Sequence, residues 1–127
     1  NHLLVASLTT RSLRSFSRDM FSGNLTEADS LTLPAAPENI SLDSRGEVWV
    51  GGHANLPRWR DFAAHPENRV PSQIFRVSLA SGVPLQASQV YGDDGSQIAA
   101  AGIAASIGNR LLIGSGLDDK LLDCTQQ

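Results

Sequence analysis

The chain has 127 residues, of which 41% are hydrophobic and 18% charged, and this composition is typical of a globular domain. The formal net charge is −3 and no long basic block occurs, so nucleic acids and anionic membranes are poor candidate partners. The longest apolar run, residues 98–107, is too short and too rich in Ala and Gly to span a bilayer.

Short apolar runs that end in turn residues recur along the chain and predict β-strands. The first three runs lie at residues 2–8, 12–17 and 30–33, with a turn at residues 19–24 before the third. A β-hairpin follows at residues 37–53. In it, Ile40 and Leu42 alternate with polar residues, residues 43–46 form the turn, and Gly46 suits a left-handed backbone.

The segment 56–68 differs in character, because it combines prolines with charged and aromatic side chains. One or two helical turns fit residues 57–64, but we interpret the segment as a long surface loop. Loops of that length within a compact domain are often functional. Trp59 and His65 in this segment either form the wall of a substrate pocket or pack at the surface.

The second half of the chain again predicts strands. They lie at residues 72–78, 84–91, 98–107, 110–114 and 120–124. Gly108 and Asn109 fit a hairpin turn. Residues 118–120, Asp-Asp-Lys, are interpreted as a solvated turn.

One order of elements occurs twice, starting at residue 40 and again at residue 98. It consists of a strand, a tight turn, a second strand, a longer loop and two further strands. Residues 3–33 resemble an earlier unit without its innermost strand. The spacing slightly exceeds the ~40–50 residues of a propeller blade, and segment 56–68 accounts for the excess. The sequence predicts an all-β fold, a β-propeller portion of about two to three four-stranded blades, at approximately residues 1–33, 34–95 and 96–127.

Several motifs resemble the paraoxonase/arylesterase family, which is related to gluconolactonases and to strictosidine-synthase-like proteins. The resemblance rests on LPAAPENISLD at 33–43, VWVGGH at 48–53, QVYGDDG at 89–95 and LLIG at 111–114. Together with similar segments at 4–7, 11–13 and 71–77, these motifs follow one another in the order found in the C-terminal part of such a protein, and the resemblance extends over nearly the whole chain.

The resemblance implies a six-bladed propeller that binds calcium in its central tunnel and hydrolyses lactones or esters. Asn39 matches a calcium-binding asparagine of the family. Glu38 stands where the family usually has an aspartate that is both a calcium ligand and a proposed base or nucleophile. His53 matches a histidine of the active-site wall. We therefore expect Glu38 and Asn39 as metal ligands, and Glu38 and His53 as catalytic residues.

Glu38 departs from the family pattern, because its side chain is one methylene longer than aspartate. Calcium coordination is flexible enough to accommodate this change, whereas catalytic geometry is less tolerant. Calcium takes about six to eight oxygens, so this chain holds only part of a site. A second copy in a homodimer, or an N-terminal partner chain, is expected to complete the ring and the site.

Alternative interpretations stay open for each of these residues. Glu38 and Asn39 follow Pro37 and also fit an ordinary turn before a strand, and His53 also fits a hydrogen-bonded residue at a strand end. Cys124 is either a passive thiol or forms a bond to a cysteine of another chain. The resemblance matches it to a family cysteine that forms a disulfide with a cysteine near the N-terminus of the paraoxonases. The alternative function is a non-catalytic propeller portion that serves binding or assembly.

Overall fold

The computed structural model describes residues 1–127, which form ten β-strands and one α-helix. The elements are β1 (His2–Ser7), β2 (Ser12–Arg18), β3 (Leu25–Thr32), β4 (Ala36–Leu42), β5 (Val48–His53), α1 (Leu56–Ala64), β6 (Ser72–Ala80), β7 (Val83–Asp93), β8 (Ala101–Ile107), β9 (Arg110–Ser115) and β10 (Leu121–Thr125). The single helix has nine residues, and no helix is long and apolar enough to cross a membrane.

The strands form three antiparallel sheets in which neighbours along the chain are neighbours in space. The first sheet has the order β1-β2-β3, the middle sheet β4-β5-β6-β7, and the third β8-β9-β10. Consecutive up-and-down sheets of this kind are the blades of a propeller. The predicted all-β class and partial β-propeller are therefore confirmed, with one four-stranded sheet and two three-stranded sheets.

The hairpin of β4 and β5 forms as the sequence predicts. Leu42 pairs with Val48 and Ile40 with Val50. Gly46 has a φ of +82°, a left-handed conformation that glycine adopts without a Cβ clash. The Asp43 carboxylate accepts the backbone N–H of Glu47 at 3.0 Å and thereby stabilises the turn.

Three apolar clusters hold the sheets together. Trp49, Ile74, Ile98 and Ile113 belong to the cluster between the middle and third sheets. A second cluster, which includes Leu13, Val50 and Val77, joins the first and middle sheets. The third contains Phe62, Val70, Ala99 and Ala100, with Trp59 packed against it. Burial of these apolar faces is the main stabilising term of the fold.

The interpretation of residues 56–68 as a long surface loop is wrong for residues 56–64, which form α1. Asn55 caps the helix, since its side chain accepts the N–H of Arg58 at 3.1 Å. Pro57 fits the first turn, where its missing N–H has no intrahelical partner. The helix is short and buries only Phe62, so its packing rather than a strong sequence periodicity stabilises it.

Two other predicted elements begin three or more residues away from their observed starts. The strand predicted at 98–107 begins at Ala101, because Ala100 has a φ of +52° and breaks the extended backbone. The strand predicted at 30–33 is β3, which begins at Leu25 and pairs with β2 along its whole length.

Candidate functional site

Glu38 and Asn39 lie on a bulge in β4, the edge strand of the middle sheet. Pro37 pairs with Gly52 and Ile40 with Val50, so the two residues between them stand opposite Gly51 alone. A β-bulge changes the direction of the side chains it carries and is common beside functional sites. The bulge thus gives Glu38 and Asn39 orientations that a regular strand would not.

The hairpin brings Glu38 and His53 into direct contact. Glu38 Oε2 lies 2.7 Å from His53 Nε2. An ionised carboxylate only accepts hydrogen bonds, so Nε2–H of the imidazole is the donor. The Glu38 side chain is 34% exposed and that of His53 is 1% exposed, so the histidine lies beneath the carboxylate and only the carboxylate reaches solvent.

His53 is enclosed by its neighbours. Its ring stacks on Trp59 of α1, with the ring centroids 4.9 Å apart and the planes inclined by 28°. Its second nitrogen, Nδ1, is buried and has no hydrogen-bond partner in the protein. A small cavity of about 10 Å³, the size of one water molecule, lies beside the ring and is lined by residues that include Arg58 and Val70.

Asn39 is exposed and contacts the third sheet. Its amide Nδ2 donates to the carbonyl oxygen of Gly102 at 3.2 Å. The amide oxygen Oδ1 accepts no hydrogen bond from the chain and is free to bind a cation. Carboxylate and amide oxygens are the ligands that calcium prefers, so Glu38 and Asn39 together fit part of a calcium site. The chain contains no group of three His, Cys, Asp or Glu side chains that could hold a metal.

The strands β5 and β8 approach each other closely beneath this pair. A Cβ on Gly51 would lie 2.5 Å from the carbonyl oxygen of Gly102 and 2.7 Å from its Cα. Real Cβ atoms do not approach backbone atoms so closely. Gly51 is therefore required for the sheets to meet, and the two sheets meet where Glu38 and Asn39 lie.

The backbone that leads into β8 is fixed by side chains from neighbouring elements. Ser72 is fully buried; its hydroxyl donates to Ile98 O at 2.6 Å and accepts Ala101 N–H at 2.9 Å. Ser115 donates to Ala100 O at 2.9 Å. These contacts hold the left-handed Ala100 in place and so determine the position of Gly102.

The side chain of Asp118 is buried rather than solvated. The interpretation of residues 118–120 as a solvated turn is therefore wrong for this residue. Its side chain is 6% exposed and accepts Arg69 Nη2 at 2.6 Å and Ala99 N–H at 2.8 Å. Burial disfavours the charged carboxylate, but the hydrogen bonds from Arg69, Ala99 and Asp119 outweigh it and lower the pKa of Asp118 to about 2. The ion pair links the third sheet to the segment after α1.

The remaining candidates from the sequence lie apart from this site or at its edge. His65 is 57% exposed and lies 3.5 Å from Glu67. Cys124 is a free, half-buried cysteine on β10, and it lines a cleft of about 420 Å³ between the middle and third sheets together with Trp49 and Tyr91. Tyr91 is partly buried, and this burial, together with the nearby charge of Asp93, raises its pKa to about 12.

Sequence reasoning missed Gly102, Ser72 and Arg69. Each acts through a contact with a residue far along the chain: Ser72 is 26 residues from Ile98, and Arg69 is 49 residues from Asp118. No local pattern indicates such contacts. Trp59 was considered either as a wall residue or as a surface residue; in the structure it stacks on His53, a contact that depends on helix α1.

Comparisons with known proteins identify the family of this chain. The arylesterase family model matches residues 1–125. Human serum paraoxonase/arylesterase 2 is 31% identical over 93 residues, which are 72% of this chain and 26% of that protein. Human serum paraoxonase/arylesterase 1 is 30% identical over 92 residues, 72% of this chain and 25% of the relative.

The name of a third relative does not refer to ester hydrolysis. Mechanosensory abnormality protein 6 of Caenorhabditis elegans is 28% identical over 99 residues, 74% of this chain and 26% of that protein. The chain thus spans about a quarter of the length of the curated relatives that it matches. The family model nevertheless extends over almost every residue of the chain. The chain belongs to the arylesterase family.

Proposed function

We propose that this chain contributes part of the active site of a calcium-dependent hydrolase that acts on lactones or esters. The observation that carries the proposal is the Glu38 carboxylate, which a bulge places at the sheet edge with one oxygen held by the buried His53. Membership of the arylesterase family supports an ester as the substrate class.

Glu38 and Asn39 would hold the calcium ion. Asn39 Oδ1 and Glu38 Oε1 accept no hydrogen bond from the chain, and both are oxygens of the kind that calcium binds. When bound, calcium would polarise the substrate carbonyl group and stabilise the negative charge that develops on its oxygen.

The chain's own residues would perform the proton transfer. Glu38 accepts a proton from the water that attacks the carbonyl carbon and returns it to the leaving oxygen as the ester C–O bond breaks. The alternative is direct attack by Glu38, in which the ester C–O bond breaks, the alcohol leaves with a proton from solvent, and water then hydrolyses the anhydride formed on Glu38. His53 donates Nε2–H to Glu38 Oε2 and so keeps the carboxylate in one orientation. Trp59 stacks on the imidazole, and close packing around the buried ring favours a single orientation of His53.

The remaining ligands must come from outside residues 1–127, because calcium takes about six to eight oxygens and this site offers two residues. A second copy of the chain or an N-terminal partner would supply them and complete the six-bladed ring.

The test is hydrolysis of a lactone and of an aryl ester by the assembled protein, with and without a calcium chelator. We expect activity that chelation removes and that added calcium restores. Activity that is indifferent to chelation would exclude the calcium mechanism.

A non-catalytic role in binding or assembly is the second candidate, and the longer side chain at position 38 favours it. Calorimetry of the assembled protein with calcium alone separates the two functions. Absence of calcium binding together with absence of hydrolysis would favour the non-catalytic role.

A further inference from the structure

Gly102, the second residue of β8, faces the carboxylate of Glu38 across the junction of two sheets. A Cβ on Gly102 would overlap Glu38 Oε2 and would lie 2.9 Å from Cδ and 3.5 Å from Oε1. The space next to Gly102 is therefore occupied by the end of the Glu38 side chain. The φ of Gly102 lies outside the left-handed region, so the backbone itself does not require glycine at this position.

Gly51 provides the contrast. Its Cβ would meet the backbone of Gly102, which cannot move without separating β5 from β8. A Cβ on Gly102 would instead meet the tip of a flexible, partly exposed side chain. A side chain at 51 thus disrupts the fold, whereas a side chain at 102 displaces the carboxylate of Glu38 and leaves the sheets in place.

We infer that Gly102 is a positioning residue, which acts through Glu38 by providing the space that the longer side chain of glutamate needs. With Gly102 present, the carboxylate lies over β8 and still bonds to His53 Nε2 at 2.7 Å. The residues at positions 38 and 102 therefore depend on each other. Glutamate stands at 38 where the family resemblance implies the shorter aspartate, and glycine at 102 leaves room for the longer side chain. An aspartate at 38 would leave the space above Gly102 empty, and a methyl group at 102 would fill it.

This inference rests on the proposed function for its consequence in calcium binding, but not for the geometry itself. The geometry predicts a specific pattern in a double-mutant cycle. Gly102→Ala alone creates an overlap and Glu38→Asp alone creates a void. The double variant removes both defects, because the new methyl group occupies the volume that the shortened side chain vacates.

The experiment compares these three variants with wild type in the assembled protein. Gly114→Ala is the matched control, because Gly114 is also a strand glycine and its Cβ would make only ordinary contacts of 3.4 and 3.8 Å. Thermal unfolding establishes that each variant folds. NMR of the His53 Nε2–H proton reports its hydrogen bond to residue 38, and calorimetry with calcium alone reports metal affinity.

We expect Gly102→Ala to unfold close to the wild-type temperature but to lose the protected Nε2–H signal and to weaken calcium binding by about 10- to 100-fold. Glu38→Asp should weaken it as well, and the double variant should recover most of the loss. Gly114→Ala should change neither signal nor affinity.

Two results would overturn the inference: a wild-type Nε2–H signal in Gly102→Ala, or losses in the double variant that are the sum of the single losses. Failure of the proposed function has a different signature. Wild type would then bind no calcium and hydrolyse no ester, while the NMR signal of His53 would still depend on residue 102.

Discussion

Glu38 and His53 form a pair in which one member is partly exposed and the other buried. The imidazole is held on one side by the carboxylate and on its face by Trp59. Removal of water around a hydrogen bond to a charged group strengthens it. The pair therefore fixes the orientation of Glu38 more firmly than a surface contact would.

At the scale of single residues, the first prediction concerns the charge of Glu38. Glu38→Gln keeps the shape of the side chain but removes the base, so the rate of ester hydrolysis should fall by about a hundredfold or more. Glu27→Gln is the control, because Glu27 is an exposed glutamate in an ion pair with Arg14. Hydrolysis at the wild-type rate by folded Glu38→Gln would contradict the assigned role.

The second prediction concerns the stack of Trp59 on His53. Trp59→Ala should lower the free energy of unfolding by roughly 1 kcal/mol for the aromatic contact alone, with a further loss from burial. Trp59→Phe should retain most of the contact. Denaturant unfolding measures both variants, and equal stabilities for Ala and Phe at this position would show that the stack is not stabilising.

The candidate site was predictable from the sequence only in part. Residues 37–53 form a local hairpin, and the spacing of 15 residues between Glu38 and His53 is bridged by strand pairing that the apolar alternation predicts. The family motif identified the two residues and Asn39. Their environment was not predictable, because Trp59 and Gly102 reach the site through packing between elements.

At the scale of elements, the bend before β8 combines a strained residue with side chains that hold it. Ala100 is buried and has a φ of +52°, a conformation that costs a non-glycine residue on the order of 1 kcal/mol. Ser72 bonds to Ile98 O before it and to Ala101 N–H after it, and Ser115 donates to the carbonyl oxygen of Ala100 itself. The bend ends the extended segment and begins β8 at the position that faces β4.

The third prediction follows from this bend. Ala100→Gly relieves the backbone strain and loses one methyl group, so the free energy of unfolding should change little. Ala104→Gly, in the regular part of β8, loses the same group and should be destabilising by about 1 kcal/mol. Chemical denaturation of both variants is the measurement. An equally large loss at position 100 would mean that no strain is stored there.

At the scale of the whole molecule, the ion pair of Arg69 with Asp118 joins the third sheet to the segment after α1. Both the folded pKa of about 2 and the ordinary value of 3.8 lie below neutral pH. The depressed pKa contributes stability at pH values above 3.8, and this contribution is lost as the pH falls from about 4 toward 2.

The fourth prediction compares Asp118→Asn with wild type across this range. At pH 7 wild type should be more stable by roughly 2 kcal/mol, and the difference should disappear toward pH 2. Asp119→Asn is the control, because Asp119 is the exposed neighbour of Asp118 and its substitution changes the net charge by the same amount. Thermal unfolding at several pH values is the measurement, and a difference that persists at pH 2 would contradict the prediction.

The fifth prediction concerns ring closure. A self-completing homodimer should have twice the 13.5 kDa mass of one chain in solution, whereas completion by an N-terminal partner should give a complex of two different chains. Light scattering combined with mass spectrometry distinguishes the two. A stable monomer with calcium-dependent activity would contradict both forms of closure.

The sequence by itself determined the all-β class, the hairpin of β4 and β5, and the family pattern at Glu38, Asn39 and His53. Strand alternation and turn chemistry are local, so a single sequence carries them. Only the tertiary structure decided that residues 56–64 form a helix, that Asp118 is buried, and that Gly102 receives the carboxylate of Glu38. These features depend on contacts between residues far apart in the chain, and burial and pairing of a charge depend on what packs against it rather than on its sequence neighbours.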